Sequence, residues 1–405
     1  MKFEKIVVMG LGYIGLPTAS MLATKGYQVL GVDVSYTVVD TINAGEIHIV
    51  EPDLDIVVKS AVKSRKLTAS LVPEKADAFI LAVPTPFKVN GSNSKAPDIS
   101  YVEAATLAVT PFIEKGNLII LESTSPVGTT KRVYDIIVEE RPELCDLIYV
   151  AHCPERVLPG HILRELVEND RIIGGINDAS SKKASDLYRT FCNGNIYVTD
   201  CKTAELAKLV ENSFRDVNIA FANELSLICD KLDVNVWELI ELANKHPRVN
   251  ILQPGPGVGG HCIAVDPWFI VDSAPSEARL IRTAREVNDA KPEWVVEKVK
   301  NSASKFKNPV IGCLGLAFKA NIDDLRESPA LKITRELMNA GIGKVMPCEP
   351  NVQLTFTEFP LYSLDTIMQE ADILLVLVDH NEFGEIDRGF LDDKVVIDTR
   401  GIWRK

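Results

Sequence analysis

The residues with the most chemical promise are Pro254-Gly255-Pro256-Gly257-Val258-Gly259-Gly260-His261-Cys262, which lead into Ile263-Ala264-Val265-Asp266-Pro267-Trp268. Pro and Gly interrupt regular helix and strand, so this segment reads as a loop. Gly259-Gly260 lets the backbone approach a bound molecule closely. A cysteine at the end of such a loop can stand in a cleft near backbone N–H groups that favour its thiolate, and a thiolate attacks a carbonyl carbon. An arbitrary cysteine is more often a buried structural thiol; the surrounding glycines turn the reading of Cys262 towards a nucleophile. A second constellation is Lys208, Asn212 and Arg215. Spacings of i, i+4 and i+7 put them on one helix face, with Glu211 and Asp216 on others. An amide flanked by two cations suits an anionic or alkoxide-bearing ligand, although the same stripe occurs on solvated helices.

A third constellation is Gly10-Leu11-Gly12-Tyr13-Ile14-Gly15, directly after the apolar run Ile6-Val7-Val8-Met9, with Asp33 closing the next strand. Strand, G-x-G-x-x-G, helix and a later acidic residue form the dinucleotide fingerprint. The glycines admit a pyrophosphate to the backbone, and the helix N-terminus offers N–H groups and a positive dipole. Asp33 can accept hydrogen bonds from ribose hydroxyls and would repel a 2′-phosphate, which favours NAD over NADP. Thr85 and Thr124 fall at the carboxyl ends of later strands, where ligands bind in open sheets, and are assigned to cofactor contact.

Strand and helix must alternate to position these groups. Strands are expected at Lys5–Met9, Gln28–Val32, Ala78–Val83 and Leu118–Glu122, with helices near Leu16–Lys25, Val38–Ala44 and Tyr101–Phe112. Fully apolar strands between helices indicate a parallel sheet covered on both faces. From Lys202 to Leu242 there is no Gly or Pro, and Ala204, Ala207, Val210, Phe214, Val217 and Phe221 recur at helical spacing; one long helix and a second one are expected. A second α/β pattern follows, with strands at Val310–Leu316, Lys344–Cys348, Ile373–Val378 and Lys394–Asp398 and a helix at Ala330–Asn339. The expected architecture is two Rossmann-like α/β domains, 1–198 and 301–405, joined by a helical region, 199–300, that contains the long helix and packs against a partner subunit.

Composition narrows the class. The eight cysteines form no C-x-x-C pair, which argues against a zinc site or disulfide framework, and no metal is expected. A net charge of -12 disfavours nucleic acid. No apolar run suits a membrane span, and Met1-Lys2-Phe3-Glu4-Lys5 leads straight into a strand rather than a secretory signal, so a cytoplasmic protein is expected.

Taken in chain order, Gly10–Gly15, Ser123-Thr124-Ser125-Pro126-Val127-Gly128, Cys153-Pro154-Glu155-Arg156, Ala204–Asn212, Gly257–Cys262, Gly315-Leu316-Ala317-Phe318-Lys319 and Asp323–Pro329 resemble the UDP-glucose/GDP-mannose dehydrogenase family over nearly the whole chain. The resemblance implies a four-electron oxidation at C6 of a nucleotide sugar, with NAD as hydride acceptor and Cys262 carrying a thiohemiacetal and then a thioester. It implies Lys208 as acid/base or alkoxide stabiliser, Asn212 as the group positioning oxygen and water, Asp266 as a supporting carboxylate, and Glu155 as a catalytic carboxylate. Tyr13 and Ile14 belong to the cofactor loop, and Arg326 is expected to contact NAD. Phe318, Lys319, Arg215, His246 and Arg248, with Gly259, would hold the nucleotide diphosphate and sugar. Arg156 and Val157 would border the sugar, and Arg400 would contact substrate. The family is dimeric through its central helices, with Arg248 reaching into the neighbouring site, and its products supply cell-envelope polysaccharide.

Pro154–Gly160, His246–Asn250 and His261–Trp268 look most like the members acting on UDP-N-acetyl-D-mannosamine; the 2-epimer, UDP-N-acetyl-D-glucosamine, is the alternative. The sequence departs from relatives acting on glucose or mannose at Pro159, where those carry a second Glu. That removes a shared carboxylate pair and makes room for an N-acetyl group. Two readings from other classes remain: an NAD-binding regulatory protein without turnover, and a two-electron hydroxyacid dehydrogenase, which would give Cys262 no role.

Overall fold

The structure is a computed structural model describing residues 3–88, 95–158, 160–260, 262–352 and 358–404; Pro159 and His261 lie outside them. The chain gathers into two compact units, Met1–Val210 and Glu211–Lys405.

In the first unit, β1 (Lys5–Met9), β2 (Gln28–Val32), β3 (Leu67–Ser70), β4 (Ala78–Leu81), β5 (Leu118–Leu121), β6 (Tyr149–His152), β7 (Arg171–Gly175) and β8 (Ile196–Asp200) form one sheet in the order β3-β2-β1-β4-β5-β6-β7-β8. β1 to β6 are parallel; β7 is antiparallel to β6, and β8 is parallel to β7. The continuous apolar runs have a direct cause. Ile6, Val8, Ile80, Leu118 and Ile120 enter the core on one face, and Val7, Met9, Phe79, Leu81, Ile119 and Leu121 enter the core on the other. A strand covered on both sides has no polar alternation to show. The strand order reverses between β1 and β4, and the carboxyl ends there open the crevice in which doubly wound sheets bind ligands.

The second unit carries a parallel sheet of β9 (Val310–Leu314), β10 (Lys344–Cys348), β11 (Ile373–Val376) and β12 (Val395–Asp398), in the order β10-β9-β11-β12. Its core includes Val295, Val296, Val299 and Ala303 from the helix Arg279–Ala303, packed with Ile311, Cys313, Ile333 and Leu375. The helices after residue 210 group with the C-terminal sheet, and the boundary between the two compact units falls inside the 32-residue helix Cys201–Leu232. On that helix Leu206, Val210, Phe214, Phe221 and Ile228 are all at least two-fifths exposed and share one face. Among the described residues, no helix is long and apolar enough to cross a membrane.

Beneath the first sheet lies a buried polar cluster. Glu122, just past β5, accepts from Tyr188 Oη at 2.9 Å and from Thr18 Oγ1 at 3.2 Å. Thr18 belongs to the helix Gly15–Thr24 that follows the Gly-rich loop, so the carboxylate ties that helix to the sheet. Burial, reinforced by the charge of Glu155, pushes the Glu122 carboxyl up to about 7. The folded chain holds a proton that the unfolded chain loses near its ordinary carboxylate value, so stability falls as pH rises from about 4.5 to about 7. Glu122→Gln is neutral throughout. Its melting midpoint should drop less than the parent's between about pH 5 and about pH 7 by scanning calorimetry; parallel profiles would mean that Glu122 ionises normally.

Candidate active site

The loop after β1 is shaped by steric limits. Gly10 has φ +87°, and a Cβ there would lie 2.6 Å from the Ala82 carbonyl oxygen. A Cβ on Gly15 would lie 1.8 Å from the Gly10 carbonyl oxygen, whereas one on Gly12 would meet nothing within 4 Å. Gly10 and Gly15 thus serve internal packing, and the space beside Gly12 is left open for a ligand. No side chain caps the helix Gly15–Thr24 at Ile14; Leu16 N donates to the Gly12 carbonyl at 3.1 Å and Pro17 has no amide hydrogen, which leaves the Gly15 amide at the helix start for an anion. Tyr13 is exposed beside them. Asp33 accepts from Leu11 N at 3.0 Å and Ser35 N at 2.9 Å, which fixes its carboxylate at the end of β2. A carboxylate has about four lone-pair sites, so two amides leave room for a ribose diol. Thr85 Oγ1 donates to the Thr124 carbonyl at 2.6 Å, which brings together the two threonines expected at the strand ends. These residues fit an NAD: a cradle that side chains would fill, an uncapped helix N-terminus and an oriented acid.

Two residues that the sequence reading passed over support this unit. Glu205, on the long helix three residues before Lys208, is fully buried and accepts from Gly128 N and Thr130 N, both at 2.6 Å. It anchors the loop after β5 that includes Thr124. His152, at the end of β6, is fully buried, and neither ring nitrogen has a hydrogen-bond partner. Burial, aided by the nearby positive charge of Lys208, pushes it down to about 3, so the ring is neutral. Neither had a usable sequence signal beyond a polar residue in an apolar run.

Glu155, expected as a catalytic carboxylate, is buried. Its side chain is 4% exposed and pairs with the equally buried Arg171 at 2.9 Å. Its other oxygen accepts from Arg156 N at 2.8 Å. The Arg171 guanidinium also stacks 4.8 Å from the Tyr188 ring centroid. The carboxylate thus ties the backbone at Arg156 to β7. The Arg156 guanidinium donates to the Asp170 carbonyl at 2.8 Å.

In the second unit Cys262 is exposed and opens a turn whose carbonyl accepts from Val265 N at 3.1 Å and Asp266 N at 2.9 Å. Asp266 then starts the helix Asp266–Ser273 and is buried. Its Oδ2 accepts from Asn212 Nδ2, and Asn212 Oδ1 accepts from Arg215 Nη2. The expected Asn212, Arg215 and Asp266 are thus one hydrogen-bonded group. The Gly-rich loop lies on Phe318: a Cβ on Gly259 would come 3.0 Å from Phe318 Cβ and 2.4 Å from the Glu327 carbonyl oxygen. Gly260 N donates to the Arg326 carbonyl at 3.3 Å. Arg400 lies against Gly255, where a Cβ would be 2.6 Å from Nη1, and its guanidinium pairs with Asp379 at 2.9 Å. Lys319 is exposed, and the Arg326 side chain pairs with Asp324. His246 and Arg248 stand on an exposed turn, where Arg248 N donates to His246 Nδ1 at 3.3 Å.

The two glycines give a test. Gly12→Ala should keep the melting temperature of the parent yet weaken NAD binding by tenfold or more, because only ligand space is filled, about 1.4 kcal/mol or more. Gly15→Ala should lose stability first. Calorimetry paired with NAD titration separates the two, and equal effects in both variants would contradict this assignment.

Comparison with known proteins agrees with the geometry. Residues 4–192 match the NAD binding domain of the UDP-glucose/GDP-mannose dehydrogenase family, 202–290 its central domain and 312–405 its UDP binding domain. The chain is 58% identical to an NDP-N-acetyl-D-galactosaminuronic acid dehydrogenase of Ralstonia nicotianae, covering 99% of this chain and 96% of the relative. It is 53% identical over the full length of both chains to a UDP-N-acetyl-D-mannosamine dehydrogenase of Escherichia coli strain K12. Among solved structures, a UDP-N-acetyl-mannosamine dehydrogenase from S. aureus superposes with a TM-score of 0.89 at 43% identity, covering 99% of this chain and 96% of that one. With an NAD fold, a UDP-binding fold and full-length relatives in agreement, the chain belongs to the UDP-glucose/GDP-mannose dehydrogenase family and is an NAD-dependent oxidoreductase of nucleotide sugars.

Proposed function

We propose that the chain oxidises C6 of UDP-N-acetyl-D-mannosamine twice, to UDP-N-acetyl-D-mannosaminuronate, through a covalent intermediate on Cys262. The carrying observation is an exposed thiol at the end of a glycine loop, with the bonded Asp266–Asn212–Arg215 group on the elements beside it in sequence and fold. NAD, when bound at the first loop, supplies the hydride acceptor for each oxidation. The first oxidation turns the primary alcohol into an aldehyde. The Cys262 thiolate then forms a C–S bond to that carbon, and the carbonyl oxygen takes up a proton to give a thiohemiacetal, which again has a C–H hydride to lose. Loss of that hydride leaves a thioester; water adds, the C–S bond breaks, and the carboxylate and the thiol are released.

Asn212 has two amide hydrogens, and Asp266 takes one, which leaves the other for the sugar oxygen. The Asp266 carboxylate also fixes which end of the amide faces Arg215. Lys208, four residues earlier on the same helix face, serves as the acid/base or alkoxide stabiliser. Glu155 is assigned to backbone positioning, because its charge is committed to Arg171. Phe318, Lys319 and Arg400 serve the nucleotide diphosphate and sugar.

A galacto-configured acetamido sugar is the second reading, favoured by the relative at 58% identity, whose name carries that configuration. The acetamido group is common to both, and the Pro159 departure fits it. A substrate panel of UDP-N-acetyl-mannosamine, -glucosamine and -galactosamine with UDP-glucose decides among them. Two NADH per sugar are expected with the manno epimer and negligible turnover with UDP-glucose. One NADH per sugar would return the chain to a two-electron dehydrogenase. Cys262→Ser should lower turnover roughly 10³-fold or more, and full turnover in that variant would remove the thioester.

The chain works as a homodimer in this proposal. Phe214 is 68% exposed and Phe221 54% exposed on one face of a long helix, a pattern that a lone soluble chain does not favour. Phe214→Glu with Phe221→Glu should halve the mass measured by light scattering; an unchanged mass would place the interface elsewhere. The uronate product suits cell-envelope polysaccharide synthesis.

A further inference from the structure

The root of the nucleophile loop hangs on one buried hydrogen bond. Residues 254–256 are Pro-Gly-Pro, and proline has no amide hydrogen, so Gly255 N–H is the sole backbone donor of that stretch. It donates to Asn223 Oδ1 at 2.8 Å. Asn223 Nδ2 donates to Asn288 Oδ1 at 2.8 Å, and Asn288 Nδ2 donates to Asp216 Oδ1 at 2.8 Å and to the Asp216 carbonyl at 3.1 Å. Arg285 Nη1 closes the series on Asp216 Oδ1 at 2.5 Å. Asn223 and Asp216 are 0% exposed, and Asn288 and Arg285 1%.

This series has a direction. A carboxylate accepts only, so Asn288 must turn its NH2 towards Asp216 and its oxygen towards Asn223. Asn223 must then turn its NH2 towards Asn288, which leaves its oxygen for Gly255. One buried charge, matched by Arg285, therefore sets the orientation of two amides and delivers an acceptor to the loop. On the other side of Gly255 the Arg400 guanidinium leaves no space for a side chain. The loop root is clamped seven residues before Cys262.

We propose that Asn223 and Asn288, oriented by Asp216, are positioning residues that hold the loop so that the Cys262 thiol can reach the aldehyde carbon. The proposal rests on the reading of Cys262 as nucleophile. If the clamp is released, the first oxidation, which does not use the thiol, should persist while the second slows. Displacement of a reacting group by about 1 Å costs up to roughly a hundredfold in rate.

The test uses the full-length enzyme with UDP-N-acetyl-mannosamine and NAD in single-turnover stopped flow. The variants are Asn223→Ala, Asn223→Asp and Asp216→Asn. Asn223→Asp keeps an acceptor for Gly255 but faces Asn288 with a second oxygen, and Asp216→Asn keeps shape while removing the charge that sets direction. Val299→Ala, a cavity in the core of the same unit, calibrates loss of stability alone. The expected result is a normal first NADH and a second NADH slowed about tenfold or more, with a smaller change in KM. Alkylation of Cys262 by iodoacetamide should show an altered pH profile in the Asn223 variants and not in Val299→Ala. The proposal is overturned if every folded clamp variant releases the second NADH as fast as the parent, or no slower than Val299→Ala at an equal loss of melting temperature. Cys262→Ser runs alongside: if it too completes both oxidations, the cysteine reading has failed rather than the clamp.

Discussion

The architecture depends on one recurring constraint: a functional loop rich in Gly and Pro cannot satisfy its own backbone amides, so side-chain oxygens from elsewhere must do so. Asp33 holds Leu11 N, Glu205 holds Gly128 N and Thr130 N, Glu51 holds Gly160 N and Ile162 N, Asn223 holds Gly255 N, and Glu349 holds Leu316 N and Ala317 N. In each case a strand end, helix or loop remote in sequence fixes the loop through one side chain. Leaving such an amide unpaired in a buried setting costs about 1–3 kcal/mol, a large fraction of a domain's net stability. The loops are therefore positioned as firmly as the elements that carry the anchors.

The same device separates the two Rossmann-like halves. Gly10 and Gly315 both follow a first strand with positive φ, at +87° and +93°, and both precede an amide held by an acid from the next strand's end. In the first half Asp33 is partly exposed and keeps lone pairs for a ligand. In the second, Glu349 is 5% exposed and is surrounded by Leu316 N, Ala317 N, Asn351 N and the His380 ring. Burial would raise its carboxyl, but the hydrogen bonds from His380, Leu316 and Asn351 outweigh that and hold it below the ordinary range. A carboxylate spent on four internal donors has nothing left for a ribose. Two similar folds in one chain thus differ in cofactor use through the fate of one acid.

Much of this was legible beforehand, for physical reasons. β1, β2 and β10 fall where the apolar runs placed them, and the Gly/Pro-free stretch folds as the long helix Cys201–Leu232 followed by a second, Val236–Ala243. The Gly-rich loops and Asp33 were readable because special backbone geometry needs special residues. β7 and β8 were not readable: one contains Arg171 and two glycines, and the other is a half-exposed edge with no apolar run. Missing β7 hid Arg171, and with it the buried ion pair that Glu155 makes. Glu122, Glu205 and Asn223 read as ordinary polar residues because their meaning lies in burial and in partners up to 104 positions away, and His152 because its meaning lies in burial alone.

The charge balance closes the physical account. A chain of net charge -12 must collect a doubly charged diphosphate with few cations. The arginines proposed to meet cofactor and substrate are already oriented by acceptors: Arg215 by Asn212, Arg326 by Asp324 and Arg400 by Asp379. Each pairing lowers the field a distant anion feels but fixes the guanidinium in one direction, so less side-chain entropy is lost when the anion arrives. Long-range attraction is sacrificed for geometry at contact. In the covalent route proposed for Cys262, that exchange favours the aligned complex, because rate depends far more on alignment at the reacting atoms than on encounter.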